Sequence, residues 1–349
     1  MKRLKLSKKN FGETAVLYSL TNDADVTMTV TDLGARIVDL IVPVDGKSRN
    51  IVLGFDSAKE YLDKDMYFGA TIGRVAGRIK NGSFAIDTQN YQLPVDPKNG
   101  HTLHGGLDSF EAKMWASETK ETDNSLSVIF TYTSPDGENG FPGEVKATVT
   151  YTLTNDNEWI IDYYADTDKP TLYNPTNHVY FNLSGDVTQS VDQHELFVDA
   201  DRIAVVDSDT TVTGELRSVI DTPFDFRNSG KMNQVFQTTY EQNQLVNGLD
   251  HPFMLNHVGF EKPQAIITAP EKDLSVEMYT DRPAVVIFTA QFGEEGPELR
   301  GNKLVNHGGI TLETQVSPGA VEFEGFGDIV LYPKTPYQSR TIYKIKEVQ

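Results

Sequence analysis

Apolar and polar residues alternate in short runs along most of the 349-residue chain. Residues 26–30 (V-T-M-T-V), 127–132 (S-V-I-F-T-Y) and 145–151 (V-K-A-T-V-T-Y) repeat with period two. They are rich in β-branched and aromatic side chains, the mark of half-buried strands. Residues 159–165, 195–198, 274–279 and 284–289 follow the same rule, and 179–181 is a short strand-like run. Gly, Pro, Asn and Asp cluster between the runs, at 43–46, 80–82 and 134–137, where they predict turns. Helical periodicity is confined to 57–62 and 232–242, each enough for a short helix. Many short strands punctuated in this way predict an all-β fold, an antiparallel sandwich or barrel. No composition shift, linker or repeat divides the chain, so residues 1–349 are expected to form one domain. A ligand would lie in a concave face or among the rim loops.

Charge narrows the partners. Lys plus Arg number 31 against 50 Asp plus Glu, a formal net charge of -19. Such a chain repels phosphate backbones and anionic lipid, which argues against nucleic acid or a membrane and suits a neutral substrate. Without cysteine it has no disulfide, no thiolate nucleophile and no Cys-ligated zinc, in keeping with a reducing compartment. The basic residues 1–10 run into F-G-E-T rather than an apolar segment. No stretch approaches the run of about 18 apolar residues that a membrane helix needs. A soluble, cytoplasmic protein is expected.

Candidate chemistry concentrates in a few stretches. N-P-T-N-H-V-Y-F-N-L at 174–183 enters through Asn-Pro, which favours extended chain, and leaves as a strand. His178 therefore sits where a loop hands over to a strand, able to meet a ligand yet rigidly held, and imidazole is the natural proton carrier near neutral pH. The others are I-G-R-V-A-G-R-I at 72–79, N-G-H-T-L-H-G-G at 99–106, G-L-D-H-P-F at 248–253 and H-G-G-I-T-L-E-T-Q at 307–315. Of the seven histidines, five lie in these stretches: His101, His104, His178, His251 and His307. A metal site is disfavoured: His101 and His104 would share a face only on a helix, which Gly100, Gly105 and Gly106 oppose. No H-E-x-x-H or G-x-S-x-G sequence marks a zinc protease or a serine hydrolase. Asp250 with Glu313 could supply the carboxylate pair of a glycosidase, which leaves the histidines without a role. A carbohydrate-binding β-sandwich without catalysis would draw on the same residue types.

In this order and at this spread, the stretches resemble the aldose 1-epimerase (galactose mutarotase) family. The matches are L-G-A at 33–35, L-G-F-D at 53–56 with Tyr61, G-R-x-A-x-R-I at 73–79, L-H-G-G at 103–106 and G-F-P-G at 140–143. The 174–183 stretch, L-D-H-P-F at 249–253 and T-L-E-T-Q at 311–315 complete a set that covers nearly the whole chain. The resemblance implies a large antiparallel β-sandwich, the galactose mutarotase-like supersandwich. It also implies an isomerase that interconverts the α and β anomers of free galactose, glucose or a related hexose without cofactor or metal. It places the catalytic glutamate at Glu313, the catalytic histidines at His178 and His104, the substrate-binding arginine at Arg78 and the sugar-holding aspartate at Asp250. One position departs: many members have Asn before that arginine, where this chain has Gly77. Asn177 is assigned no role.

The chemistry so implied needs one base and one acid, each within hydrogen-bond reach of its oxygen. Glu313 is expected to be ionised and His178 protonated, their attraction raising the histidine's pKa. His104 would be a second donor near O5 or the anomeric oxygen, and Arg78 and Asp250 would hold hydroxyls away from C1. His101, His251 and His307 are expected to be loop, packing and turn residues, Arg74 a support of the pocket, and Trp115, Trp159 and Phe288 core. A homodimer is compatible with these motifs. A hexose-6-phosphate substrate is allowed by the paired arginines and opposed by the acidic charge.

Overall fold

The computed structural model describes residues 4–64 and 66–348. The alternating runs become antiparallel strands that share a core. An amino-terminal sheet takes Lys5–Phe11, Ala15–Thr21, Thr27–Thr31, Arg36–Val44 and Lys47–Asn50 in sequence order. A nine-stranded sheet runs Ala116–Glu121, Ser125–Ser134, Val145–Thr154, Glu158–Thr167, Tyr337–Glu347, Leu274–Thr280, Ala265–Thr268, Glu195–Val198 and Gly230–Lys231. A further five-stranded sheet is ordered Val212–Ser218, Ala200–Val206, Asp250–Leu255, Ala284–Phe288 and Glu313–Gln315.

Period two explains how the layers meet, because successive side chains point to opposite faces. The largest buried cluster takes Met28 and Val30 from the first sheet, Phe130, Val149 and Tyr151 from the second, and Ile203, Phe253 and Ile287 from the third. Polar ends of buried groups are tied across layers: Tyr151 donates its hydroxyl to Ala35 O at 2.7 Å and accepts from Asn177 Nδ2 at 2.8 Å. Such pairing is what makes a buried hydroxyl tolerable. The large antiparallel β-sandwich expected from the resemblance is the fold observed.

The predicted strands reappear with small shifts, and the helix expected at 57–62 forms as Ala58–Lys64. The helix expected over 232–242 is broken into Asn233–Phe236 and Glu241–Val246. Gln237 leaves helical geometry and the Thr238 hydroxyl captures Tyr240 N–H at 3.1 Å, a local bond that competes with the helical ladder.

Ile287 is fully buried on the core face of the strand that carries two cavity residues on its other face. Ile287→Ala should therefore lower unfolding free energy by about 2–5 kcal/mol in urea titrations, the range for truncating a core aliphatic.

Candidate active site

The third sheet buries one face in the core and turns the other to a cavity of about 260 Å³. Register places the cavity residues side by side. Asp250 pairs with Phe288 and Pro252 with Val286, while Val286 pairs on its other edge with Glu313. All five therefore lie on one face of three neighbouring strands. Phe253 and Ile287, one residue out of phase, face the core. Asp250 N–H donates to His251 Nδ1 at 3.2 Å, and His251 in turn meets Gln242 Oε1 at 3.1 Å, so this buried histidine steadies the aspartate's strand. Glu313 is fixed by a relay in which Phe288 N–H donates to Thr311 Oγ1 at 3.0 Å and Thr311 donates to Glu313 Oε1 at 3.0 Å.

His178 sits between two-residue strands: Thr176–Asn177 pairs with Thr71–Ile72, and Tyr180–Phe181 pairs with Ile310–Thr311. Its own N–H donates to Ala70 O at 2.9 Å and its carbonyl accepts Gly69 N–H at 3.1 Å, so the main chain cannot swing. This brings His178 Nε2 to 3.4 Å from Glu313 Oε1. Among the described residues, the buried His178 Nδ1 and Arg78 Nε have no hydrogen-bond partner. Arg78 reaches Asp250 Oδ2 through Nη1 at 3.4 Å.

His104 is held in the left-handed region at φ 52, an uncommon conformation for a residue with a Cβ, and Gly77 secures it. His104 N–H donates to Gly77 O at 3.0 Å, and Gly77 N–H donates to His104 Nδ1 at 3.1 Å. A ring nitrogen that accepts an N–H carries no proton, so neutral His104 bears its hydrogen on Nε2 and is a donor there. The rings of His104 and His178 meet edge-on at 5.2 Å, and Tyr67 packs on both at 4.6 and 5.6 Å. Tyr180 donates to Met66 O at 3.0 Å, which holds the segment that delivers Tyr67.

Burial dominates the electrostatics. It pushes Glu313 up to about 8, helped by the charge of Asp250 and opposed by the Thr311 hydrogen bond. It pushes His178 down to about 3 and His104 well below its ordinary value. Burial also raises Asp250, with Arg78 opposing. The expectation of a protonated His178 is thereby corrected. Desolvation outweighs the pair attraction and favours the neutral form of both groups, with the proton on Glu313.

His104, His178 and Glu313 offer ligand atoms within 4.8 Å of one another, a density that a metal ion could use. The donor set does not fit one. Gly77 N–H occupies the lone pair on His104 Nδ1, and Nε2 carries the proton, so neither nitrogen is free to coordinate.

The structure gathers Arg78, His104, His178, Asp250 and Glu313 around one cavity. One further expectation needs correction. Phe288 is half-buried, packing against a smaller hydrophobic cluster on one side and lining the cavity on the other. His101 is the expected loop residue, in the bend before the Thr102–Leu103 strand, where it is buried and bonds Asp209 Oδ2 through Nε2 at 3.1 Å. Arg74 supports from behind, donating to the carbonyls of Ser134, Pro135 and Pro142. His307 is the expected turn residue, at φ 57 and stacked on Phe236 at 3.9 Å. Tyr67, Thr210, Thr211 and Pro318 also line the cavity, and no local motif in the sequence announces them. Gly77 was visible as a departure, but its φ of 77 and the closeness of Pro318, whose Cγ lies 2.5 Å from where a Cβ would sit, were not.

A β-sandwich whose cavity holds a one-proton carboxylate–imidazole pair, a fixed N–H donor and an Arg–Asp pair belongs to the class of enzymes that move protons on a small polar ligand. The sequence profile described as aldose 1-epimerase matches residues 16–344, and the chain belongs to that family. The galactose mutarotase of Homo sapiens is 36% identical over 300 residues, covering 86% of this chain and 84% of the relative. The aldose 1-epimerase of Escherichia coli strain K12 is 34% identical over 338 residues, covering 95% and 96%. The crystal structure of galactose 1-epimerase from Lactobacillus acidophilus NCFM superposes with a TM-score of 0.88 at 27% identity and covers 100% of both chains.

Nitrogen-15 shifts of His104 should report a neutral ring protonated at Nε2 that stays neutral as pH falls through the ordinary histidine range, since burial depresses its protonation. An Nδ1–H signal would contradict the bond from Gly77.

Proposed function

We propose that the chain is an aldose 1-epimerase that interconverts the α and β anomers of free hexoses, galactose or glucose, with Glu313, His178 and His104 around C1 and O5. The observation that carries this reading is the 3.4 Å approach of His178 Nε2 to Glu313 Oε1 inside a cavity sized for one sugar ring. Anomer exchange requires the C1 hydroxyl to lose a proton while O5 gains one. The Glu313 carboxylate takes the proton from O1, the C1–O5 electron pair moves to O5, and the His178 imidazolium protonates O5. The sugar is then an open-chain aldehyde. Rotation about C1–C2 presents the other carbonyl face, and reclosure reverses both transfers. The neutral pair that burial favours has the same proton count and is the state the enzyme holds while the sugar is open. A C1 hydroxyl donating to Glu313 favours the carboxylate, which returns the proton to His178 for the opening step.

His104 offers its Nε2–H to O5 or the anomeric oxygen and steadies charge as the ring breaks. Arg78 Nε, buried and without an acceptor, and the Asp250 carboxylate hold hydroxyls away from C1, fixing the ring for in-place proton transfer. Arg78 is the one Lys or Arg among the described cavity residues, and it already faces Asp250, which supports a neutral sugar over a phosphorylated one. At position 77 a side-chain amide would have to displace Pro318, so sugar contacts fall to the remaining wall. Every group invoked comes from one chain, and the reading needs no second subunit. It includes action as one unit over residues 1–349, supported by a core cluster that draws on Tyr18 through Ile345. It also includes a cytoplasmic setting, supported by the absence of cysteine. No helix of the described residues is long and apolar enough to cross a membrane.

Polarimetry tests the proposal: fresh α-galactose should reach equilibrium rotation faster with the protein than without it. Glu313→Gln should cut kcat by about 10² to 10⁴-fold with the fold retained, as expected for loss of a positioned base. A full rate in that variant would remove Glu313 from the mechanism, and release of reducing sugar from a disaccharide would favour a glycosidase.

The pair keeps its single proton between the protonation of His178 at about 3 and the ionisation of Glu313 at about 8. The acid and the base coexist only in that window. kcat/KM should therefore be level across mildly acid and neutral pH and fall as pH rises past about 8, where Glu313 loses the proton that His178 needs.

A further inference from the structure

One rim of the cavity carries a contact network that the proton transfers leave unused. The hairpin between strands Ala200–Val206 and Val212–Ser218 places Val206, Thr210, Thr211 and Val212 along the cavity. Its turn is tight: Thr210 N–H donates to Asp207 O and Asp207 N–H to Thr211 O, each at 2.8 Å. Thr210 holds φ 61, a left-handed conformation that a β-branched side chain disfavours and that surrounding contacts must impose.

Asp209 makes those contacts. Its Oδ1 accepts Thr211 N–H at 3.0 Å and the Thr211 hydroxyl at 2.6 Å. Its Oδ2 lies 3.1 Å from His101 Nε2 and 3.7 Å from Lys80 Nζ. His101 Nδ1 accepts Asn81 N–H at 3.0 Å, so Nε2 carries the proton and donates to the carboxylate. The partners of Asp209 sit beside the sugar-holding groups. Residues 78–79 pair with 102–103, a short ladder with Arg78 in one strand, Lys80 just past it, and His101 and His104 flanking the other. Burial works to raise Asp209, but the Thr211 hydrogen bonds and Lys80 hold it at about 2, so the carboxylate is ionised throughout the working range.

We propose that Asp209 is a positioning residue whose carboxylate latches the 207–211 rim hairpin onto His101 and Lys80 and so closes the Val206–Val212 side of the cavity against the bound sugar. The proposal rests on reading the cavity as a hexose site. The hydroxyl protons of Thr210 and Thr211 are committed to Asp209 O and Oδ1, each at 2.6 Å, so these oxygens can only accept from a sugar hydroxyl. A sugar with a hydroxyl placed to donate there gains from the latched rim, while the C1–O5 chemistry at Glu313 is untouched.

The test compares wild type, Asp209→Ala and Asp209→Asn by polarimetry with free galactose, by calorimetric titration of galactose and by thermal unfolding. Asp209→Ala should raise KM and Kd about tenfold with kcat within about twofold, the pattern for loss of uniform binding. Asp209→Asn, which keeps a side-chain oxygen for His101 or Thr211, should fall between. Unchanged KM and Kd in the alanine variant, or a fall in kcat at constant KM, would overturn the latch. Equal loss in both variants, in step with a lowered melting temperature, would also overturn it, because general loosening does not respect the conservative change. Wild type that binds galactose without hastening its mutarotation would overturn the catalytic reading alone, and Kd would still report on the latch.

Discussion

The site depends on withdrawing a carboxyl and an imidazole from water while leaving them one proton. An isolated buried charge is severely disfavoured. Glu313 and His178, each almost fully buried, meet this constraint because burial favours the neutral form of both. The shift of each group away from its ordinary value comes chiefly from that dryness. The same dryness makes an incoming sugar hydroxyl electrostatically consequential, since a hydrogen bond to the charged form counts for more where water is scarce.

Holding such a pair requires rigid mountings from several directions. Glu313 is set by strand register and by the relay from Phe288 N–H through Thr311. His178 is set by main-chain bonds to Gly69 and Ala70. Asn177, its neighbour, turns away from the cavity to bond Gly69 O at 2.9 Å and the Tyr151 hydroxyl at 2.8 Å, and so braces the loop from behind. Two residues with side chains, Tyr67 and His104, are held at positive φ beside the pair. Strain of that kind persists only where surrounding contacts over-determine it. For His104 the contact is the two-way bond to Gly77, which also decides which ring nitrogen can donate. The departure at Gly77 thus removes a side-chain amide and keeps the main-chain bonds that orient His104.

The cavity wall divides the labour. The sheet face supplies Asp250, Glu313 and apolar Pro252, Val286 and Phe288 in fixed register. The short ladder of 78–79 with 102–103 supplies Arg78 and His104. The rim hairpin at 207–211 joins these two through Asp209 and His101. The titratable cavity residues lie on paired strands or their immediate flanks, and groups that shape the opening lie on turns, as a rigid scaffold with adaptable loops would arrange them.

Strand positions were legible in the chain because side-chain alternation is a local property: 145–151 and 274–279 read as strands and are strands. So was the set of polar residues that gather at the cavity, because His178 between Asn-Pro and a strand, Glu313 after a Gly turn and Arg78 between glycines stand in motifs that carry a family resemblance. What sequence could not reveal is whatever depends on residues far apart meeting in space. The neutral form that burial favours for Glu313 and His178 depends on two residues far apart in the chain meeting in one dry cavity. The placement of Phe288 in the cavity follows from which face of its strand the core claims. The tie between His101 and Asp209 is a contact across 108 positions. Local pattern determined which segments extend and which side chains can carry a proton, since both depend on near neighbours. Packing alone decided which of those side chains are dry, which tautomer they hold and what closes over them, because dielectric and hydrogen-bond partners are properties of the assembled interior.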